Sequence, residues 1–392
     1  MSVNEHRPVI LFATIAAGGG HVATARAMAE AVERHYPGRF ELRISDYMKD
    51  VGITKLDRRH KDLWRWALRY PIIARVGQRI IDTFPRQTIA TQRRLLRGFA
   101  RAAAADLSRN PPLLVVSNHG LLTTGLAVAK RRHGLKIPVL TFATEPHNIS
   151  AYWAEPWADH VIVPSEEIRH DLLRMGVPAD KMAIIGYPVR QAFLETPPKT
   201  EARARLGLED RFTCLVSFGG EGVGRDPRGL VRVLLGSKIP LRVVVVTGRN
   251  ETLKGELLRL RSERLRVEGF VDDMATYLAA SDVVIGKGGP ASVYEALAVG
   301  RPVLAVGYTG INELGVVRFV EGTGLGRQVE EPAALLKEVL RYASDPALLK
   351  EVALRCQQLR LADKTEKLAR YVVRYARAGA AAAYAGVEER ES

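Results

Sequence analysis

The chain has 392 residues, 47% of them apolar and 26% charged, the balance of an ordinary globular protein of two or three domains. That balance excludes a disordered chain and a collagen-like repeat; with Cys214 and Cys356 the only cysteines it also excludes a disulfide scaffold and a cysteine zinc site, and it fits a reducing cytoplasm. The 58 Lys and Arg against 43 Asp and Glu leave a charge of +15, and residues 51–100 alone hold 12 basic against three acidic residues, a surface suited to an anionic partner.

In chain order, Pro8–Thr14 predicts a strand that runs into a glycine turn, so the apolar start reads as a buried strand rather than a signal peptide. A helix over about 23–36 follows. Pro37-Gly38 stops it, because proline cannot continue a helix and glycine accepts positive φ. Phe40–Ile44, Leu113–Ser117, Val139–Phe142 and His160–Val163 continue as strands, while 52–110 lacks a strand pattern and reads as helices joined by loops. The stretch Glu195-Thr196-Pro197-Pro198-Lys199-Thr200 is a linker. Beyond it, Phe212–Ser217, Arg242–Thr247, Asp282–Ile285 and Pro302–Val306 predict strands, with helices over about 228–235, 251–262, 274–280 and 291–298. Strand–helix alternation of this kind means an α/β protein with parallel sheets and right-handed crossovers. The expected division is 1–200, 201–345 and a helical end over 346–392 with a frayed Ala-rich tail. No run of about 18 apolar residues predicts a transmembrane helix.

Three glycine loops follow strands. Ala17-Gly18-Gly19-Gly20-His21 lacks the dinucleotide spacing and the Lys-Ser/Thr of a P-loop, so neither a nicotinamide cofactor nor a Walker site is expected. His21 stands where open α/β sheets bind ligands. Ser217-Phe218-Gly219-Gly220 is a second glycine loop after a strand, and Gly286-Lys287-Gly288-Gly289-Pro290-Ala291-Ser292 presents backbone N–H groups, and Lys287, to a phosphate or diphosphate. Glu295, inside the helix that follows, is placed to accept hydrogen bonds from ribose hydroxyls.

Gly269-Phe270-Val271-Asp272-Asp273-Met274, Ser281-Asp282, the run Lys287–Ala298, Gly300 and Pro302 together resemble the donor domain of the family 28 glycosyltransferases, GT-B enzymes that use UDP-sugars. Gly18-Gly19-Gly20-His21, Trp153, Asp159, Val163-Pro164-Ser165-Glu166, Gly176-Val177 and Gly186-Tyr187-Pro188-Val189 are similar to the diacylglycerol glycosyltransferases, which include monogalactosyldiacylglycerol synthase and the bacterial processive glucosyltransferases. The resemblance implies two Rossmann-like doubly wound domains facing a central cleft, the first binding a lipid acceptor and the second the UDP-sugar. It implies that Phe270 and Val271 hold the uracil with Met274 nearby. Gly219, Gly220, Gly288, Gly289 and Ser292 would line the phosphates, and Glu295 would bind the ribose. His21 would act as base by the acceptor hydroxyl, beside Gly19, Gly20 and a second cleft histidine, His119. No metal is implied at the diphosphate, and no cofactor beyond the donor substrate. The sequence departs from the family pattern in three places. Thr144-Glu145 stands for Thr-Asp, with Ser150 in place of a histidine and His147 the nearby imidazole; Gly310-Ile311-Asn312-Glu313 stands for Gly-Gln-Glu/Asp, leaving Asn312 and Glu313 for the sugar; Gly315-Val316 lacks an expected asparagine.

The basic segment 55–101 sets apolar and aromatic residues among arginines, with Trp64, Arg65, Trp66 and Arg69 at its centre, the pattern of a helix lying in a membrane interface. It has neither a recognition-helix arrangement nor strand-spaced aromatics, so nucleic acid is not expected. The expectation is an inverting transfer of a hexose from a UDP-sugar to diacylglycerol or a related lipid hydroxyl, by a cytoplasmic enzyme held on the inner face of the cell membrane. The alternatives are transfer of N-acetylglucosamine to a polyprenyl-linked acceptor, a UDP-sugar epimerase, and a non-catalytic nucleotide-sugar sensor.

Overall fold

A computed structural model describes residues 7–16, 19–222, 224, 226–308 and 310–388. The chain forms two compact units: one from the residues up to Arg190 together with those from Ala362 onward, the other from Gln191 to Leu361. The first unit ends ten residues before the expected boundary, and the chain returns to it at the end.

The first unit holds β1 (Val9–Thr14), β2 (Glu41–Asp46), β3 (Leu114–Ser117), β4 (Val139–Phe142), β5 (His160–Val163) and β6 (Met182–Ile184), all parallel, in the order β2-β1-β3-β4-β5-β6. β3, β4 and β5 are buried along their whole length, which is why they read as unbroken apolar runs rather than alternating ones. The order switches between β1 and β3, with β2 on one side and β4 to β6 on the other. The ends of those two strands are therefore where the loops splay apart and a ligand fits. Between β2 and β3 the 52–110 segment is helical, as its sequence predicts, with helices Thr54–Arg69, Pro71–Thr83, Pro85–Leu95 and Arg97–Arg109. The terminal helix, Leu361–Glu388, is helical through the Ala-rich stretch expected to fray and joins this unit. Its fully buried Tyr371 meets His160 Nε2 at 2.6 Å, and Thr365 Oγ1 accepts from the Val189 N–H at 3.1 Å.

The second unit holds β7 (Thr213–Ser217), β8 (Arg242–Val246), β9 (Leu265–Glu268), β10 (Val283–Gly286), β11 (Val303–Ala305) and β12 (Gly326–Gln328), again parallel, in the order β12-β11-β10-β7-β8-β9. This is the doubly wound arrangement, with its switch between β7 and β10. β6, β9 and β12 carry no sequence signal of their own because they are three- or four-residue edge strands. In β9 the polar Arg266 and Glu268 pair with each other at 2.6 Å instead of facing a core. The Ser281-Asp282 motif has a structural task. Buried Asp282 accepts hydrogen bonds from Lys199 Nζ, Arg203 Nη2 and the Thr213 N–H, each at 2.7 Å, tying the Lys199–Leu206 helix to the start of β7.

Candidate active site

In the first unit the register pairs Ala13 with Ser117 and Ser117 with Thr141, so the chain leaves β1, β3 and β4 at one edge of the sheet. The segments that carry His21, Asn118-His119 and Thr144-Glu145 emerge there together. The helix after β1 begins at Gly20, three residues earlier than its sequence predicts. His21 therefore lies in the first helical turn, and exposed Gly19 is its cap. Ala17 and Gly18 lie outside the described residues.

His21 Nδ1 lies 2.8 Å from the carbonyl oxygen of Asn118 and 3.0 Å from Thr144 Oγ1. A carbonyl only accepts, so Nδ1 carries the proton and Nε2 keeps its lone pair. His119 is fixed the other way. It caps the Gly120–His133 helix, and its Nδ1 accepts from the Leu121 N–H at 3.2 Å, which leaves the proton on Nε2. The two rings are 4.6 Å apart, so a base and a donor stand side by side. Trp153 packs 6.2 and 6.4 Å from them. That close approach requires Gly120: a Cβ there would sit 2.5 Å from the Tyr152 carbonyl oxygen.

The sequence gives no notice of His60, whose ring meets His119 edge-on at 5.0 Å. Its helix, Thr54–Arg69, is pinned over the site by Lys61, which bonds Asp57 at 2.8 Å and Asp46 at the end of β2. The strand expected to stop at Ile44 runs to Asp46, whose carboxylate Lys61 and the Ala16 N–H engage. Burial pushes His21 down to about 4, with the Asn118 carbonyl opposing and His60 adding to the shift. His119 falls well below its usual range through burial and its two imidazole neighbours, and burial lowers His60 as well. His21 is thus neutral down to acid pH. Among the described residues no group of three His, Cys, Asp or Glu side chains is disposed to hold a metal ion.

Glu145 stands behind this cluster. Its carboxylate accepts from the Ser150 N–H at 2.9 Å and from the Trp153 side chain, and burial raises it to about 7 against those bonds. Ser150, standing where a histidine was expected, caps the Ala151–Trp153 turn. His147 does not join the cluster; its Nδ1 is 3.8 Å from Glu167 on the next helix, Glu166–Arg174. A cavity of about 440 Å³ lined by Lys130, Arg131, Lys136, Trp157 and Lys181 lies by the starts of β4, β5 and β6, the opposite edge of the sheet, and holds none of the predicted residues.

In the second unit the same logic gathers the glycine loops. Ser217 pairs with Val246 and Gly286, and Gly286 with Ala305, so Phe218–Gly220, Thr247–Arg249, Gly269–Val271 and Lys287–Gly289 leave the sheet at one edge. Gly219 has φ +74°, and the Arg249 N–H donates to the Gly220 carbonyl at 2.9 Å. Phe270 is exposed, with the Arg249 guanidinium 5.1 Å from its ring centroid; Val271 and Met274 are half-buried beside it. Gly289 caps the Pro290–Ala298 helix, which places Ser292, exposed, in its first turn and half-buried Glu295 one turn on. Gly288 is packed so tightly that a Cβ would meet Val317 Cγ2 at 2.4 Å and the Glu313 carbonyl oxygen at 2.9 Å. Glu313 is buried, its carboxylate 3.9 Å from Lys287 Nζ, and Asn312 is half-buried beside it. The Ile311 side chain and Thr309 lie outside the described residues.

Of the residues expected to touch a membrane, Arg65, Trp66 and Arg69 are exposed on the Thr54–Arg69 helix. Trp64 is half-buried against the core beneath it. The larger apolar face lies on the next helix, where Ile72, Ile73, Val76 and Ile80 are each more than half exposed. No helix among the described residues is long and apolar enough to cross a membrane.

Two family models match the chain: the monogalactosyldiacylglycerol synthase model over residues 21–189 and the glycosyltransferase family 28 C-terminal domain over 231–366. Curated relatives include a probable chloroplastic monogalactosyldiacylglycerol synthase of Nicotiana tabacum, 28% identical over 83% of this chain, and monogalactosyldiacylglycerol synthase 1 of Arabidopsis thaliana, 28% identical over 84%. The chain spans 62% of the length of each. Among solved structures, Anabaena Alr3699/HepE in complex with UDP aligns with a TM-score of 0.56 at 16% identity, over 93% of this chain and 98% of that one. UDP-GlcNAc 2-epimerase from Neisseria meningitidis aligns at 0.61 and 14% identity, over 93% and 99%. These likenesses are to the two-domain GT-B fold. Over residues 231–366 the chain is thus similar to the family 28 glycosyltransferases, and over 21–189 to the monogalactosyldiacylglycerol synthases.

Proposed function

We propose that the protein transfers a hexose from a UDP-sugar to the hydroxyl of diacylglycerol or a related lipid, with inversion, while resting on an anionic membrane surface at the inner face of the cell membrane. The observation that carries this reading is the orientation of His21: the Asn118 carbonyl holds the Nδ1 proton and turns a basic Nε2 free. In the reaction the acceptor oxygen attacks the anomeric carbon, its proton passes to His21 Nε2, and the bond to UDP breaks with its electron pair left on the diphosphate. The His119 Nε2–H is a donor for a substrate oxygen at the same place. The Phe218–Gly220 loop and Gly289, with the helix that opens at Pro290, present N–H groups to the diphosphate as it gains charge, while the Gly288 N–H is held by the Gly307 carbonyl at 3.1 Å. Phe270 and Val271 would take the uracil, Glu295 the ribose, and Asn312 and Glu313 the sugar.

Binding to an anionic bilayer is supported by the exposed apolar face of the Pro71–Thr83 helix together with the basic excess of residues 51–100. The lipid acceptor is supported by the names of the relatives, which act on diacylglycerol by those names. The test is UDP release from a panel of UDP-sugars, with and without vesicles of diacylglycerol and anionic phospholipid. Release with one sugar, only when diacylglycerol is present, is expected. Conversion of a UDP-sugar to its epimer without an acceptor would contradict the reading.

A further inference from the structure

The Pro71–Thr83 helix has two faces that do different things. At about 100° per residue, Ile72, Val76, Ile80 and Ile73 fall within an arc of roughly 100°, and all four are exposed. Asp82 lies on the other side and turns inward. Its Oδ1 accepts from Ser150 Oγ at 2.9 Å and from the Ala151 N–H at 2.8 Å. Ser150 in turn donates its N–H to Glu145 Oε2, and Glu145 also holds the Trp153 side chain that packs on His21 and His119. An unbroken series of hydrogen bonds thus runs from the back of the exposed apolar helix to the indole behind the base. Bonds to an ionised carboxylate are the stronger kind, and this carboxylate is half-buried, where water competes less.

We propose that Asp82 is a positioning residue: it couples the apolar face of the Pro71–Thr83 helix to the 145–153 loop, so that docking on an anionic bilayer orders the loop behind His21. The proposal rests on the membrane contact argued above and adds its consequence for the site. Off the membrane the apolar outer face of this helix stands in water. Seating that face in lipid restrains the helix, and through Asp82 it restrains Ser150 and Ala151. The enzyme is then organised for transfer only where its lipid acceptor is found.

Hydrogen exchange of the full chain tests this without the donor sugar or turnover. The probe is a vesicle of phosphatidylcholine with diacylglycerol and phosphatidylglycerol; pure phosphatidylcholine is the control. In the wild type the anionic vesicles are expected to slow exchange in 72–84 and in 145–153, each by about fivefold or more, and to leave 283–298 unchanged. In Asp82→Ala the slowing at 72–84 stays and that at 145–153 is lost. Asp82→Asn keeps an acceptor oxygen, so protection of 145–153 returns. Slowing at 72–84 with none at 145–153 in the wild type would overturn the coupling while leaving membrane binding intact. So would equal protection of the loop in wild type and Asp82→Ala. No slowing at 72–84 would remove the membrane contact and the coupling with it. If Asp82→Ala does not fold, the wild-type arm can still overturn the coupling, and Ser150→Ala, which removes the hydroxyl that Asp82 holds, takes its place: it is expected to lose part of the slowing at 145–153, and full slowing there would overturn the coupling.

Discussion

The partners of His21 come from far along the chain: Asn118 is 97 residues away and Thr144 is 123. What they do is set one tautomer, and the chemistry follows from it. His21→Ala should lower turnover by about 10²–10⁴ and leave UDP affinity unchanged, as calorimetry with UDP would show; unchanged turnover would remove His21 from the base role. Because burial holds the imidazole down to about 4, the acid limb of kcat/KM assigned to His21 should fall near pH 4 rather than near 6.5. A limb at 6.5 would mean that another group is the base or that the site is wetter than it looks. In the second unit, Glu295→Ala should weaken UDP binding by about 1–3 kcal/mol; an unaltered affinity would contradict its ribose role. At this scale the sequence displays the residue types well, since glycine loops and a histidine after a strand have local signatures. His60 and Asp82 have none. They reach the site from a helical insertion whose packing no local spacing records.

Among the elements, the strands with legible patterns are the buried central ones, and β6, β9 and β12 were illegible because an edge strand needs no apolar run. The helical insertion was legible as helix and as basic surface. Which of its faces meets solvent was not, since Trp64 and Trp66 look alike in sequence yet one packs inward and the other is exposed. Ile73→Glu with Ile80→Glu should weaken sedimentation with anionic vesicles at least tenfold, because each change puts a carboxylate where apolar surface would enter the interface. Equal binding would place the membrane contact elsewhere. Gly288→Ala should shift the Lys287–Gly289 loop and cost the second unit about 1–3 kcal/mol, read from its unfolding, since neither Val317 nor the Glu313 backbone can yield freely.

For the molecule as a whole, the two parallel sheets follow from strand–helix alternation, whereas the strand order and the return of the last helix to the first unit do not. That return rests on contacts such as Tyr371 with His160, 211 residues apart, which composition cannot announce. The first unit also concentrates imidazoles that resist protonation: His21, His147 and His160 are lowered to about 4 by burial, and His60 and His119 are lowered too. Above pH 6.5 folded and unfolded chains are both neutral at these sites. Between 6.5 and 4 the unfolded chain takes protons that the folded one refuses, so stability falls as pH falls, by up to about 1.4 kcal/mol per histidine per pH unit. Raised Glu145 works in the opposite sense between 7 and its usual range, as do Asp82 and Glu167, but they are fewer. All four tryptophans, at 64, 66, 153 and 157, lie in the first unit, so indole emission reports its unfolding alone. Its urea midpoint should drop between pH 7 and pH 5; a midpoint that rises would refute the burial of these histidines. Labelled hexose followed from a UDP-sugar into diacylglycerol vesicles, with wild type and His21→Ala side by side, tests the transfer and its base together. The wild type is expected to give one glycolipid of inverted anomeric configuration with one UDP per transfer, and the variant, which still binds UDP, to give it at least about a hundredfold more slowly. Equal transfer by both would contradict the base role, and UDP formed with no glycolipid would contradict the transfer.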